Sequence, residues 1–212
     1  MTQGNRTQGD RTGDAGAGAN QAFRLQLSDE EKNYCKDLVR LSIQRGLERR
    51  AEGRSPRGGA DAGLPEPPSA FLKQPLGAFV TLKIADALRG CIGNVIAENP
   101  LHQTIAAMAR AAAFEDPRFP PLSAGEYERL SIEISILGPL TECPNPALVE
   151  VGRHGLLISH RGRSGLLLPQ VPLEWGWDRE TFLRHTCQKA GLPADDWKDP
   201  DARLFWFEAE VF

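Results

Sequence analysis

Cysteine is scarce and scattered in this chain: four residues, at positions 35, 91, 143 and 187, with no C-x-x-C pair among them. That spacing speaks against zinc ribbons, thioredoxin-type redox motifs and iron–sulfur frameworks, and it fits a reducing cytosol. No apolar h-region follows Met1, and no run of about 18 apolar residues occurs, so neither a secretory signal nor a membrane span is expected and the location read from the sequence is cytoplasmic. GxGxxG, Walker A, GxSxG, HExxH and the protein-kinase signatures are all missing, which removes the common nucleotide-binding, acyl-transfer and zinc-protease folds. The net charge of -3 and a pI near 5.9 give no global attraction for nucleic acid.

With 212 residues and a hydrophobic fraction of 41%, the chain is long enough for one good core or two small subdomains. Residues 1–22 carry hardly an apolar side chain and read as a disordered tail. The Pro/Gly-rich stretch from Gly53 to Ser69 reads as a long loop or linker. Between them, Ser28 and Glu31 form a capping-box pair, and Tyr34, Leu38, Leu41 and Leu47 predict a helix over 29–50. Its basic end, with Arg45, Arg49 and Arg50, suits the negative pole of the helix dipole. Asn99-Pro100 predicts an N-cap followed by proline at the first helical position, opening an alanine-rich helix to about Ala113. Ser123 with Glu126 is a second capping box, and Asp178 is an N-cap for a helix that Gly191 stops.

Strands follow from alternation. Ala78–Ile84 sets Val80, Leu82 and Ile84 opposite Phe79, Thr81 and Lys83, and Asp86 turns it into a hairpin with the next segment. Ile132, Ile134 and Ile136 alternate with Ser131, Glu133 and Ser135, a second hairpin joins 156–160 to 165–169, and 204–212 reads as a closing strand. Helices and paired strands in irregular order predict an α+β fold.

The segment Leu88-Arg89-Gly90-Cys91-Ile92-Gly93-Asn94 stands out chemically. In an extended strand Arg89 and Cys91 share one face, and a guanidinium beside a thiol favours the nucleophilic thiolate. Gly90 and Gly93, lacking Cβ, would let a substrate or another backbone approach the sulfur. The structural alternative is a small buried cysteine in a tightly packed strand. Asp116-Pro117-Arg118-Phe119-Pro120-Pro121 predicts a rigid loop with a polar Asp/Arg pair. Glu133 and His154 are the candidate general bases, and an isolated histidine in a turn is more often a local hydrogen bonder than a metal ligand, so no metal site is expected.

Six segments in this order, LRGCIGN (88–94), DPRFPPL (116–122), ISILGPL (134–140), VGRHGLLI (151–158), LLLPQV (166–171) and WGWDRETFL with KAGL (175–192), resemble the AMMECR1 domain family. The resemblance, strongest to the bacterial form called AmmeMemoRadiSam system protein A, spans about Leu25 to Phe212. It implies an α+β fold with two subdomains, the chain ends belonging to the larger, and no cofactor. It also implies a Memo-type protein and a radical SAM enzyme as partners, while implying no reaction. Pro172, where the family more often has alanine, and the long 53–69 stretch are the departures.

Three functions follow as expectations. The first is a ligand- or partner-binding module that uses a cleft near Arg89 and Cys91, with Asn94, Asp116 and Arg118 as contacts. The second is an enzyme in which Cys91 is the nucleophile, Arg89 stabilises the thiolate or an anionic substrate, and His154 or Glu133 is the base. The third, and weakest, is an RNA-associated accessory protein resting on Arg161, Arg163 and the basic helix end.

Overall fold

The computed structural model describes residues 25–56, 63–96 and 98–212. The expected tail at 1–22 and the centre of the 53–69 loop lie outside the described residues. The edges of that loop are tied to the first helix, where Tyr34 Oη donates to the Pro65 carbonyl at 2.7 Å and Arg49 Nε to that of Ser55 at 2.8 Å.

Helix α1 (Asp29–Ala51) starts at the expected capping box: the Ser28 hydroxyl accepts the Glu31 amide and the Glu31 carboxylate accepts the Ser28 amide. Its buried stripe runs through Cys35, Leu38, Val39, Ser42, Ile43 and Gly46, rotated from the expected stripe so that Leu41 and Leu47 are only half-buried. Gly46 explains the rotation. The Phe114 ring of α2 (Leu101–Phe114) lies where a Cβ on Gly46 would sit, 2.3 Å from that position, so the glycine must face the second helix.

The start of α2 departs from expectation by one residue. Pro100 is itself the cap, with ψ 141°, and its carbonyl accepts the amides of Gln103 and Thr104. An isolated bridge to Pro75 holds Pro100 extended, and the Leu101 amide is taken by the Gln74 carbonyl. Tertiary pairing, not the Asn99 side chain, sets this boundary. A short helix α3 (Ala124–Tyr127) follows the second expected capping box, α4 (Gln170–Glu174) was not foreseen, and α5 (Arg179–Lys189) begins at Asp178 and ends before Gly191, whose φ of 69° suits glycine. Pro172 is tolerated inside α4 because it falls in the first turn.

The strands are β1 (Gly77–Ile84), β2 (Ala87–Asn94), β3 (Leu130–Leu137), β4 (Thr141–Glu142), β5 (His154–His160), β6 (Arg163–Leu167) and β7 (Arg203–Val211). They form one antiparallel sheet in the order β2-β1-β3-β7-β5-β6, with β4 also on β7, so the chain is α+β. Both tight hairpins use positive-φ turns, Ala85-Asp86 and Arg161-Gly162, whose twist matches the strands. Two hydrophobic cores lie along the sheet. One gathers α1, α2 and β1–β3 together with Leu25, Leu27 and Phe212; the other gathers α5, β5, β6 and β7.

Each core has a strand glycine pressed by the C-terminal end of a helix. A Cβ on Gly90 would lie 2.1 Å from the Ala112 carbonyl oxygen of α2, and one on Gly165 would lie 2.4 Å from the Ala190 amide nitrogen after α5. Backbone cannot yield as a side-chain tip can. Gly90→Ala and Gly165→Ala are therefore each expected to destabilise by about 3 kcal/mol in urea unfolding, in line with overpacked cores. Gly125→Ala, in α3 with nothing near its Cβ position, should be neutral or stabilising by up to ~1 kcal/mol in the same measurement.

Candidate functional site

Strand β2 is an edge of the sheet, and an edge strand presents unpaired amides and carbonyls. At Cys91 the Asp116–Pro121 loop covers that edge. The Cys91 amide donates to Asp116 Oδ2 at 2.8 Å, and the Cys91 carbonyl accepts from Arg118 Nη2 at 3.2 Å. Asp116 and Arg118 are locked to each other: Arg118 Nε donates to Oδ1 at 2.9 Å, Nη2 to Oδ2 at 2.7 Å, and the Arg118 amide to Oδ1 at 3.1 Å. The loop thus imitates one residue of a neighbouring strand with a side-chain pair. Asp116 is almost wholly buried, and the Arg118 guanidinium, with the Cys91 and Arg118 amides, outweighs the burial that opposes ionisation and holds its carboxyl well below the usual range.

Arg89 is committed elsewhere. The β1–β2 register slips between Leu82 and Lys83, and the Arg89 guanidinium turns to Glu126 of α3, Nε to Oε1 at 2.7 Å and Nη2 to Oε2 at 3.2 Å. Nη2 also donates to the Pro120 carbonyl at 2.9 Å, and the Phe119 ring lies near both guanidiniums, 5.7 Å from Arg89 and 5.6 Å from Arg118. Glu126, bound by Arg89 and by the Ser123 amide and hydroxyl, has its pKa drawn down to about 2. Local sequence shows Glu126 as a capping residue alone; its second role exists only through a tertiary contact.

The sulfur's own partner is a neutral hydroxyl. Thr81 sits opposite Cys91 in the β1–β2 ladder, and its Oγ1 donates to Sγ at 3.2 Å. Thr81, Lys83 and Glu133 do share the face expected of them, but Glu133 is paired with Lys83 at 2.8 Å. The two glycines do not make room for a ligand: the Ala112 carbonyl closes on Gly90, and the Phe79 ring lies over Gly93, 2.1 Å from where a Cβ would be. Asn94 has a local role, its Oδ1 accepting the Ile96 amide at 3.1 Å in a side-chain-closed turn.

His154 is not brought to this cluster. It lies on β5, four strands from β2 in the sheet order, on the order of 19 Å at the usual strand spacing. It is buried, its Nδ1 accepts the Glu150 amide at 3.0 Å, and its ring leans on Trp206 with centroids 4.5 Å apart. Burial, with the Arg153 charge, pushes its pKa below the ordinary histidine value. The arginines behind the RNA reading are also engaged internally, Arg161 with Asp199 at 3.3 Å and Arg163 with the Gly191 carbonyl. Among the described residues no group of three or more histidine, cysteine or carboxylate side chains is placed to hold a metal ion, all four cysteines are free, and no helix is long and apolar enough to cross a membrane.

Comparison with known proteins agrees with this architecture. The AMMECR1 family profile matches residues 37–212. Protein TK0174 of Thermococcus kodakarensis is 48% identical over 158 residues, covering 70% of this chain and 77% of its own length. Protein PH0010 of Pyrococcus horikoshii is 41% identical over 198 residues, covering 89% of this chain and 92% of its own. The crystal structure of uncharacterized protein PH0010 superposes with a TM-score of 0.70 at 39% identity, covering 84% of this chain and 90% of that one. Both relatives are archaeal, and the likeness they establish is to the family.

Two depressed carboxylates make stability pH-dependent with a definite sign. A folded-state pKa below the unfolded one contributes stability that is present above the unfolded value and lost as pH falls through the folded one. The Glu126 contribution to the unfolding free energy should therefore hold above about pH 4.5 and be lost between there and about pH 2, with the Asp116 contribution lost lower still. Asp116→Asn and Glu126→Gln should each cost about 2 kcal/mol at neutral pH and flatten that acid slope, read from urea midpoints across pH.

Proposed function

The chain belongs to the AMMECR1 family, and from that premise and the build of the Cys91 face we propose that it is a ligand- or partner-binding module, not an enzyme that uses the thiol. The observation that carries this reading is the engagement of the three cationic side chains around the thiol with carboxylates. Arg89 is held by Glu126, Arg118 by Asp116 and Lys83 by Glu133, and among the described residues Sγ has the Thr81 hydroxyl as its hydrogen-bond partner, with no imidazole or carboxylate bonded to it. A cysteine nucleophile needs such a base within hydrogen-bond reach, or a cation committed to its thiolate. What the face offers instead is a pre-organised surface: Phe79 over Gly93, the Lys83–Glu133 pair, and the half-exposed Arg118 guanidinium on a proline-braced loop. Rigid side chains of this kind lose little conformational entropy on contact.

The partners to which this reading assigns the face are those that the bacterial form of the family implies, a Memo-type protein and a radical SAM enzyme in the cytoplasm. Purified domain should bind one of them in biolayer interferometry. Arg118→Ala and Lys83→Ala should each weaken the complex at least tenfold, while Cys91→Ser should change it less than twofold and leave any cellular function intact. Loss of function in a Cys91→Ser protein with an unchanged melting temperature would restore the thiol-chemistry alternative, and absence of any complex would remove these two partners.

A further inference from the structure

A second site lies on the other half of the sheet. Strands β4, β5 and β7 and the segment at 144–150 line a half-open cavity of about 620 Å³, within the range of small-molecule sites. Its body is apolar, with the Trp206 indole, Leu148, Pro139 and Pro144 among the walls. Leu148 is 53% exposed at its mouth, a position that favours burial against something.

The polar groups in the cavity are few and of definite kinds. The lining holds three carboxylates, Glu142, Glu150 and Glu208, and one guanidinium, Arg153, which reaches Glu208 at 2.8 Å and Glu150 at 3.0 Å. The lining therefore has an excess of negative charge and disfavours an anion. Glu142 stands at the rim in a loose, solvent-exposed ion pair with Arg203 at 3.6 Å, both side chains 63% exposed. His154 supplies the third kind of group. Because Nδ1 accepts the Glu150 amide, the neutral ring carries its proton on Nε2, and Nε2 has no hydrogen-bond partner among the described residues although the residue is only 7% exposed. A donor of that kind, on a ring that lines a cavity, is free to meet an acceptor on a ligand.

The geometry points to a binding site for a small organic ammonium compound that carries a carbonyl oxygen beside the charge and an apolar body, as an amino-acid amide or the free N-terminus of a peptide does. The ammonium takes the rim carboxylate and the face of Trp206, the carbonyl accepts from His154 Nε2, and the side chain fills the apolar floor. This site is separate from the Cys91 face and stands whether or not that face binds a partner.

The probe is L-phenylalaninamide, titrated into the full chain by calorimetry and by ligand-observed NMR. It should bind saturably in the millimolar range or tighter, and N-acetyl-phenylalaninamide, without the charge, and 3-phenylpropionate, with the opposite charge, should bind at least tenfold more weakly. His154→Phe keeps the ring and removes the donor, so a loss of at least fivefold is expected; Trp206→Ala should lose tenfold. Glu142→Arg, on an exposed rim residue, should abolish binding while circular dichroism shows the chain still folded. Equal binding of the three compounds, indifference to Glu142→Arg and His154→Phe, or no binding of the amide up to 10 mM, about 2.7 kcal/mol at the 1 M standard state, would overturn the assignment.

Discussion

The strand β7 holds both halves of the molecule together. Its first six residues pair with β5, and two of those also pair with β4, while Ala209 to Val211 pair with β3. Neither hydrophobic core has a complete sheet without it. Its far end also fastens the start of the chain, because the Glu210 carboxylate accepts the Leu27 amide at 2.6 Å and the Lys32 ammonium at 2.7 Å, and Phe212 exchanges backbone hydrogen bonds with Ile134. The two cores are therefore coupled through one backbone ladder and not through side-chain packing alone.

The Cys91 site follows from the same sheet logic at the opposite edge. An unpaired edge strand invites pairing with other chains, and the Asp116–Arg118 pair satisfies β2 at one residue with charged side chains that no incoming strand can easily displace. The arginine–glutamate pair behind it fixes α3 and the proline-rich loop against β2. The motif that is most eye-catching as a candidate for reactivity is thus accounted for, residue by residue, by the demands of closing an edge. What remains outward is shape and charge, the material of recognition.

Much of the fold was legible because its signals are local. The capping boxes at Ser28 and Ser123, the N-cap at Asp178 and the alternation in β1 and β3 depend on neighbours within a few residues, and each element lies where those neighbours put it. Three departures share one cause, a contact from far along the chain. Phe114 rotates the buried stripe of α1, Pro75 moves the start of α2, and β7 recruits the two-residue strand β4. At the site, sequence spacing placed Arg89 beside Cys91, but a one-residue slip in the ladder and a carboxylate 37 positions away redirected the guanidinium. His154 was legible as a chemically capable side chain; its place on β5, away from the thiol, was set by strand order, which no local pattern encodes. Trp206 and Glu208, which give His154 its surroundings, are in sequence terms only parts of a closing strand.

The ladder between β3 and β7 has a consequence for how the chain is made. Leu27 and Glu210 are 183 positions apart, and β7 leaves the ribosome after every strand it pairs with. Until it arrives, β3 and β5 both have a bare edge, one in each half, and neither half can reach its final cooperative state. Contacts of such separation make for slow folding, so the nascent chain passes through a period in which its two half-built sheets are exposed to each other and to their copies. The late completion of both half-sheets is, for this architecture, a property of strand order.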